Sequence, residues 1–292
     1  RSLQRPLDKR YLRNKSPMFK NGGNMKKVKV IFSMLIAIPL LWGCIFIKGF
    51  STDRNLYLSA SKISGSGMNK VAVIDIRGII SDQEKASLLG ISIGENTLYS
   101  VVAQLEKIKD DSLVKALILK IDSPGGMVTA SDVIYKEILK FKTEHKIPVI
   151  VCMMDVAASG AYYISMAADK ILAHPTTVTG SIGVILQNFS VIKLAEKIGV
   201  EDRSLTSGPN KDLGSPFKPM TKEQRELLQQ IVNQLQDQFI LAVKAGRPNL
   251  KEEQIRKLAD GRVYTARQAL EAGLIDQIGY FDDAVQLAKK EA

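Results

Sequence analysis

The chain has 292 residues, of which 45% are hydrophobic, so it can bury a sizeable core and is not an intrinsically disordered protein. The net charge of +11 suggests nucleic-acid binding, but residues 1–29 carry ten Lys/Arg and one Asp, which leaves 31 basic and 29 acidic residues elsewhere. The rest of the chain is therefore nearly neutral and gives no sign of a basic nucleic-acid-binding face, and two cysteines are too few for a disulfide framework.

Residues 1–24 begin with Arg and show no periodic hydrophobic pattern. Met25-Lys26-Lys27 is typical of a bacterial start. Two interpretations stay open: residues 1–24 are a leader outside the native product, or they are a disordered tail.

Residues 25–49 predict a single transmembrane anchor. The uncharged run Val30–Ile47 has 18 residues, close to the roughly 20 that a spanning helix needs. The lysines before it predict a cytoplasmic N-terminus, which places the remainder outside the cytoplasm of a bacterial cell, attached to the membrane by one span. A buried helix of a soluble domain, or a signal peptide cleaved near Leu58-Ser59-Ala60, is the alternative.

A polar linker is expected over residues 50–70 and an α/β domain over 71–292. Strands are predicted at Val71–Ile76, Val114–Ile121, Val149–Met154 and Lys170–Ala173, and Thr179–Ile185 is predicted to be a glycine-rich turn into another strand. Helices are predicted at Leu98–Ile108, Val128–Phe141, Ser159–Ala168, Lys222–Ala245, Lys251–Leu258 and Asp282–Lys290. Strands that alternate with helices in this way favour a parallel sheet covered on both faces.

Two stretches after predicted strands could hold a reacting carbonyl. Asp122-Ser123-Pro124-Gly125-Gly126 could aim a backbone N–H at an oxyanion, although an ordinary tight turn explains it as well. Ser159, between Ala158 and Gly160, could expose its hydroxyl at a strand-to-helix turn. A packed turn of small residues is the alternative there.

A serine nucleophile needs a base, and the residues alone leave its identity open. His145 lies in a polar connection and His174 precedes a proline in a loop. A lysine base must be neutral, which requires burial to lower its pKa. Lys211, in a polar loop, would not be chosen on composition alone.

Four motifs in order resemble the short-form signal peptide peptidases of bacteria, the SppA family. They are I-D-S-P-G-G (Ile121–Gly126), A-A-S-G-A-Y (Ala157–Tyr162), T-G-S-I-G-V (Thr179–Val184) and S-G-P-N-K-D-L-G-S-P (Ser207–Pro216). The resemblance covers about Val71–Ala292 and implies the crotonase/Clp-protease fold, with repeated β-β-α units after one membrane helix.

The resemblance also implies the chemistry. Ser159 would be the nucleophile, Lys211 the general base, Gly126 and Gly160 the oxyanion-hole donors, and Ser181 the residue that orients Lys211. No cofactor or metal is implied.

The implied function is a membrane-anchored serine endopeptidase that degrades remnant signal peptides after protein export. The family pattern further implies a homo-oligomer whose sites are shared between subunits, with peptides and membrane lipid as partners and no nucleic acid. The alternatives are a crotonase-fold enzyme acting on acyl-CoA and a non-catalytic membrane scaffold.

Overall fold

A mostly parallel β-sheet forms the centre of the domain in the computed structural model, which describes residues 61–83, 87–88, 91–92 and 96–292. The described strands are β1 (Lys70–Ile80), β2 (Ser87–Leu88), β3 (Ile91–Ser92), β4 (Val114–Gly126), β5 (Val149–Ala158), β6 (Lys170–Ala173), β7 (Val178–Gly180), β8 (Val263–Thr265) and β9 (Gln277–Ile278). The described helices are α1 (Thr97–Lys109), α2 (Val128–His145), α3 (Gly160–Ser165), α4 (Ile192–Ile198), α5 (Lys222–Gly246), α6 (Glu252–Leu258), α7 (Ala266–Glu271) and α8 (Phe281–Glu291).

The order of the main sheet is β1-β4-β5-β6-β9, and each neighbouring pair is parallel. Strand β5 changes partner along its length. Its first part pairs with β6, up to Met153, and its last three residues pair with β7, which itself pairs antiparallel with β8. The C-terminal end of β5 therefore projects beyond β6 into a second set of contacts, where the serine motif follows.

The two central strands bury both of their faces, as expected for a parallel sheet with helices on each side. On β4, Leu117, Leu119 and Ile121 belong to a core that includes side chains from α1, α2, α3 and α5. The alternate residues Ala116 and Ile118 pack in a second core that includes Ala284 and Ala288 of α8. The α/β class and the parallel sheet predicted from the sequence are confirmed.

Cys152, in the second core, is a free buried thiol. Burial raises its pKa to about 11, because the thiolate loses its hydration there. It is thus held in the unreactive thiol form at neutral pH.

Three differences from the sequence-based prediction concern the serine motif and the turns near it. The order predicted for Thr179–Ile185 was wrong, because the strand comes before the turn: β7 ends at Gly180, and the chain then leaves the sheet, until Ile185 is 83% exposed. Strand β4 continues through the glycine turn to Gly126, because the turn pairs with β1 after a register shift. The helix predicted from Ser159 begins at Gly160, with Ser159 at its N-cap.

The predicted leader, the predicted anchor at residues 25–49 and most of the predicted linker lie outside the described residues. None of the helices within the described ranges is long and apolar enough to cross a membrane.

Candidate active site

Ser159 occupies the sharp corner between β5 and α3. Its backbone has φ 54° and ψ −123°, a conformation that non-glycine residues adopt only when their surroundings enforce it. The enforcing contacts are hydrogen bonds from the Ser159 amide to the Gly180 carbonyl, 2.8 Å, and from the Tyr163 amide to the Ser159 carbonyl, 2.9 Å. The side chain is half-buried, and this strained strand-to-helix turn is the geometry in which a serine hydroxyl is presented to a substrate.

The glycine turn at the end of β4 is tied to the strands on both of its sides. Ser123 is fully buried; its hydroxyl donates to the Gly78 carbonyl of β1, 2.6 Å, and accepts from the Gly125 amide, 3.1 Å. Asp122 accepts from the Val156 amide of β5, 3.2 Å. Gly125 has φ 98°, which a side chain would strain. The sequence analysis missed these two anchoring side chains, although polar residues directly after a buried strand were their signal.

The glycine turn packs directly against the serine corner. A Cβ built on Gly125 would lie 2.7 Å from the Gly160 nitrogen and 2.8 Å from the Ser159 Cβ. A Cβ built on Gly160 would lie 3.3 Å from the Gly126 nitrogen. Since Gly160 is the first residue of α3, its N–H has no acceptor within the helix. Two backbone amides beside a serine hydroxyl form an arrangement that can stabilise an oxyanion.

Ser181 lies next to the serine corner because β5 and β7 run in parallel register. Ala158 pairs with Gly180 at the ends of the two strands, and the residue that follows each of them is a serine. Ser181 is half-buried with φ 49°, and its amide donates to the Arg262 carbonyl, 2.8 Å. Four of the five residues singled out from the sequence therefore come together here: Gly126, Ser159, Gly160 and Ser181.

Lys211 is not joined to this cluster within the described chain. It is exposed in a turn where its amide donates to the Gly208 carbonyl, 3.2 Å. Among the described residues, no hydrogen bond or ion pair engages the Lys211 ammonium, and no hydrogen bond engages the Ser159 hydroxyl.

Neither histidine contacts Ser159. His174 is hydrogen-bonded to the Thr176 hydroxyl, 2.8 Å, and lies edge-on to the Tyr280 ring. Its amide bonds to Met153, six residues before Ser159 on β5, which is on the order of 20 Å of extended strand. His145 is the last residue of α2 and contacts the Phe141 ring.

Helix α2 is hydrogen-bonded to α3, the helix that follows the serine corner. The hydroxyl of Tyr163, on α3, donates to the Asp132 carboxylate of α2, 2.7 Å. Burial raises the pKa of Tyr163, and the bond to Asp132 raises it further, so the phenol stays protonated and keeps donating. This bond fixes α3, and with it the direction of its first amides.

We predict that Gly126→Ala destabilises the domain, because its Cβ would overlap the backbone carbonyl oxygen of Ile80. Backbone cannot swing away as a side chain can, so a loss of about 1–3 kcal/mol in the free energy of unfolding is expected. Denaturant unfolding of the full chain measures it. Gly67→Ala, whose Cβ would meet open space, is the matched control. Equal unfolding midpoints for the two variants would contradict the packing described here.

Two family descriptions match the chain: peptidase family S49 over residues 141–292, and Clp protease over residues 69–197. Over 227 residues the chain is 39% identical to an Enterococcus faecium protein named as a signal peptide peptidase SppA. It is 36% identical to the chloroplastic serine protease SPPA of Arabidopsis thaliana over 228 residues, and 37% identical to protease 4 of Haemophilus influenzae over 223 residues.

These matches cover 78%, 77% and 76% of this chain, respectively. They span 65% of the Enterococcus protein, but only 33% of the Arabidopsis protein and 35% of the Haemophilus protein. The similarity thus includes most of the described domain and only part of each relative.

Proposed function

The chain belongs to peptidase family S49 and is a serine peptidase, and from that premise we propose that Ser159 is its nucleophile and Lys211 its general base. Gly126 and Gly160 donate the oxyanion-hole hydrogen bonds, and Ser181 orients the lysine. The observation that carries the proposal is the strained Ser159 corner packed against the glycine turn.

The reaction then proceeds in two halves. Neutral Lys211 takes the proton of the Ser159 hydroxyl as its oxygen bonds to the carbon of a peptide carbonyl, and the carbonyl oxygen becomes an anion held by the two glycine amides. The protonated lysine gives this proton to the leaving amine, which breaks the peptide bond and leaves an ester on Ser159. Lys211 next takes a proton from a water molecule as the water oxygen bonds to the ester carbon. It then returns this proton to the Ser159 oxygen as the ester bond breaks, which releases the acid and restores both the serine hydroxyl and the neutral lysine.

We propose that Lys211 reaches a Ser159 of a neighbouring copy in a homo-oligomer. The exposed position of Lys211 in the single chain supports this. Large apolar side chains are also exposed along the same part of the chain: Ile185, Phe189, Leu194, Ile198, Leu205 and Ile231. Exposed apolar side chains in such numbers favour a protein contact. Burial in that contact would lower the pKa of the lysine, which a neutral base requires.

We further propose that residues 25–49 anchor the enzyme in a bacterial membrane and that its substrates are signal-peptide remnants with small or apolar side chains near the cut. The uncharged run after three lysines supports the anchor, and the name of the Enterococcus relative supports the substrate. We also propose that the domain has the repeated β-β-α units of the crotonase/Clp-protease fold, which the Clp protease match supports.

The proposed topology predicts that the peptidase domain faces away from the cytoplasm. Protease added to intact spheroplasts should digest residues 71–292, while a cytoplasmic marker protein survives. Protection of the domain until the cells are lysed would contradict this orientation.

Hydrolysis by the purified full chain tests the function itself. A fluorogenic peptide amide with alanine or leucine before the cleaved bond should be hydrolysed, while an acyl-CoA thioester should not. Preference for the thioester would favour an acyl-CoA enzyme, and inertness toward both substrates would favour a membrane scaffold.

A further inference from the structure

The turn that carries Lys211 is attached to the rest of the chain by an ion-pair cluster. The ammonium of Lys218 lies 2.7 Å from a carboxylate oxygen of Asp212 and 3.7 Å from one of Asp202. The side chains of Asp202 and Asp212 are only 15% and 24% exposed. Because Asp212 directly follows Lys211 in the chain, this cluster holds the residue next to the lysine.

All three groups in the cluster are charged at neutral pH. The hydrogen bond from Lys218 lowers the pKa of Asp212, and the same bond raises the pKa of Lys218. Hydrogen bonds from Ser204 and then the charge of Lys218 lower the pKa of Asp202. One ammonium therefore offsets two carboxylates, and the cluster keeps a net charge of −1.

We propose that Lys218 is a positioning residue for Lys211, which holds Asp212 in place and offsets its charge next to the base. The inference rests on the proposed function, since it takes Lys211 as the general base. It assigns Lys218 a part in the reaction although Lys218 touches neither the substrate nor Ser159.

The reason is electrostatic. A carboxylate near a lysine favours the ammonium form, raises the pKa of that lysine and so reduces the fraction available as a base. Holding Asp212 against Lys218 weakens this effect. Without Lys218, Asp212, which is next to Lys211 in the chain, and Asp202 would both lose the cation that they share.

The other charged groups around the turn largely pair with one another. Arg203 pairs with Glu201 at 2.8 Å on the segment before the turn. The start of α5 lies against the turn, because the Gln224 side chain donates to the Pro209 carbonyl, 3.0 Å. There Lys222 is 3.8 Å from Glu226, and backbone hydrogen bonding lowers the pKa of Glu223, which adds a further negative charge. These groups are common to every variant compared below and leave the predicted differences unchanged.

The test is the pH dependence of kcat/KM for the full chain on the fluorogenic peptide. The acidic limb of this profile is the range in which kcat/KM rises with pH. Lys218→Gln should move this limb to higher pH by about half a pH unit, because the carboxylates then stabilise protonated Lys211. Asp212→Asn should move it to lower pH by a similar amount, because Lys218 then has one carboxylate fewer. Lys218→Arg and the double variant Lys218→Gln/Asp212→Asn should return the limb close to its original position.

A purely structural role for the cluster would lower kcat in both single variants without moving the limb in opposite directions. Lys244→Gln is the matched control, since Lys244 forms a similar ion pair with Glu252, 2.9 Å, near the other end of α5. It should leave the limb in place. Thermal melting checks that each variant is folded. If Lys218→Gln does not fold, the shift of the acidic limb to lower pH in Asp212→Asn tests the role of the cluster by itself.

Limbs that stay together in all variants, or shift in the same direction, would overturn the role of Lys218. Lys211→Arg separates this outcome from failure of the proposed function. If Lys211→Arg is inactive while the limbs stay together, Lys211 remains the base and only the role of Lys218 is lost. If Lys211→Arg is active, both proposals are wrong.

Discussion

Ser159→Ala is expected to fold like the unaltered chain and to lose at least about a thousandfold of its kcat/KM for peptides. The large loss follows because no other group can form the acyl-enzyme ester. Folding should be unaffected, because the hydroxyl accepts and donates no hydrogen bond among the described residues, and alanine keeps the Cβ that packs against Gly125. Steady-state kinetics and thermal melting measure the two effects.

Ser112→Ala is a matched control for this substitution. Ser112 is exposed just before β4, at the opposite end of that strand from the glycine turn, so it should leave both kinetics and melting unchanged. Near-normal turnover by Ser159→Ala would remove Ser159 from the mechanism, whatever the control shows.

Lys211→Arg is expected to be folded and inactive. A base must be neutral to accept a proton, and a guanidinium effectively never loses its own in a protein. In the unaltered enzyme, kcat/KM should rise with pH through the pKa of the lysine, which must fall below its usual value near 10.4 for useful activity. Because the neutral form is the active one, activity should be lost as pH decreases. The Lys211 side chain is exposed in the single chain, so each copy should still fold, and circular dichroism should show the same secondary structure.

His174→Ala distinguishes the lysine from a histidine base. It should keep most of the activity, since His174 is hydrogen-bonded to Thr176, packs against the Tyr280 ring and lies well away from Ser159. A rise in activity near pH ~6 that disappears with His174 would assign the base to histidine instead.

Sharing of sites between copies gives Lys211 a second test. Mixed oligomers of inactive Ser159→Ala and Lys211→Ala chains should regain activity, because some sites then combine an intact serine with an intact lysine. Absence of any recovery, in oligomers shown by mass to be mixed, would place both groups in the same copy.

The sequence predicted the serine corner because its signals are local: an apolar strand, a run of small residues and an apolar helix. The contact between Gly125 and Gly160 joins positions 35 residues apart in the chain, and no local pattern reports it. Ser123 and Asp122 were missed as anchors for the same reason, since their partners lie on β1 and β5.

The strand predicted after the glycine-rich turn in Thr179–Ile185 was wrong, because the chain leaves the sheet at that turn. Ile182 is buried, but it follows the left-handed turn at Ser181, and Ile185 is exposed. Lys211 had no local signal, because the burial that a neutral lysine needs is not present in the single chain. Only its place in a family motif distinguishes it from a solvated surface lysine.

Covalent labelling with a fluorescent phosphonate most directly tests whether Ser159 is a nucleophile activated by Lys211. After digestion and mass spectrometry of the full chain, a single adduct is predicted on Ser159, and Lys211→Arg should abolish it while Lys218→Arg and His174→Ala keep it. An adduct on another residue, or undiminished labelling of Ser159 in Lys211→Arg, would contradict the assignment of a serine–lysine pair.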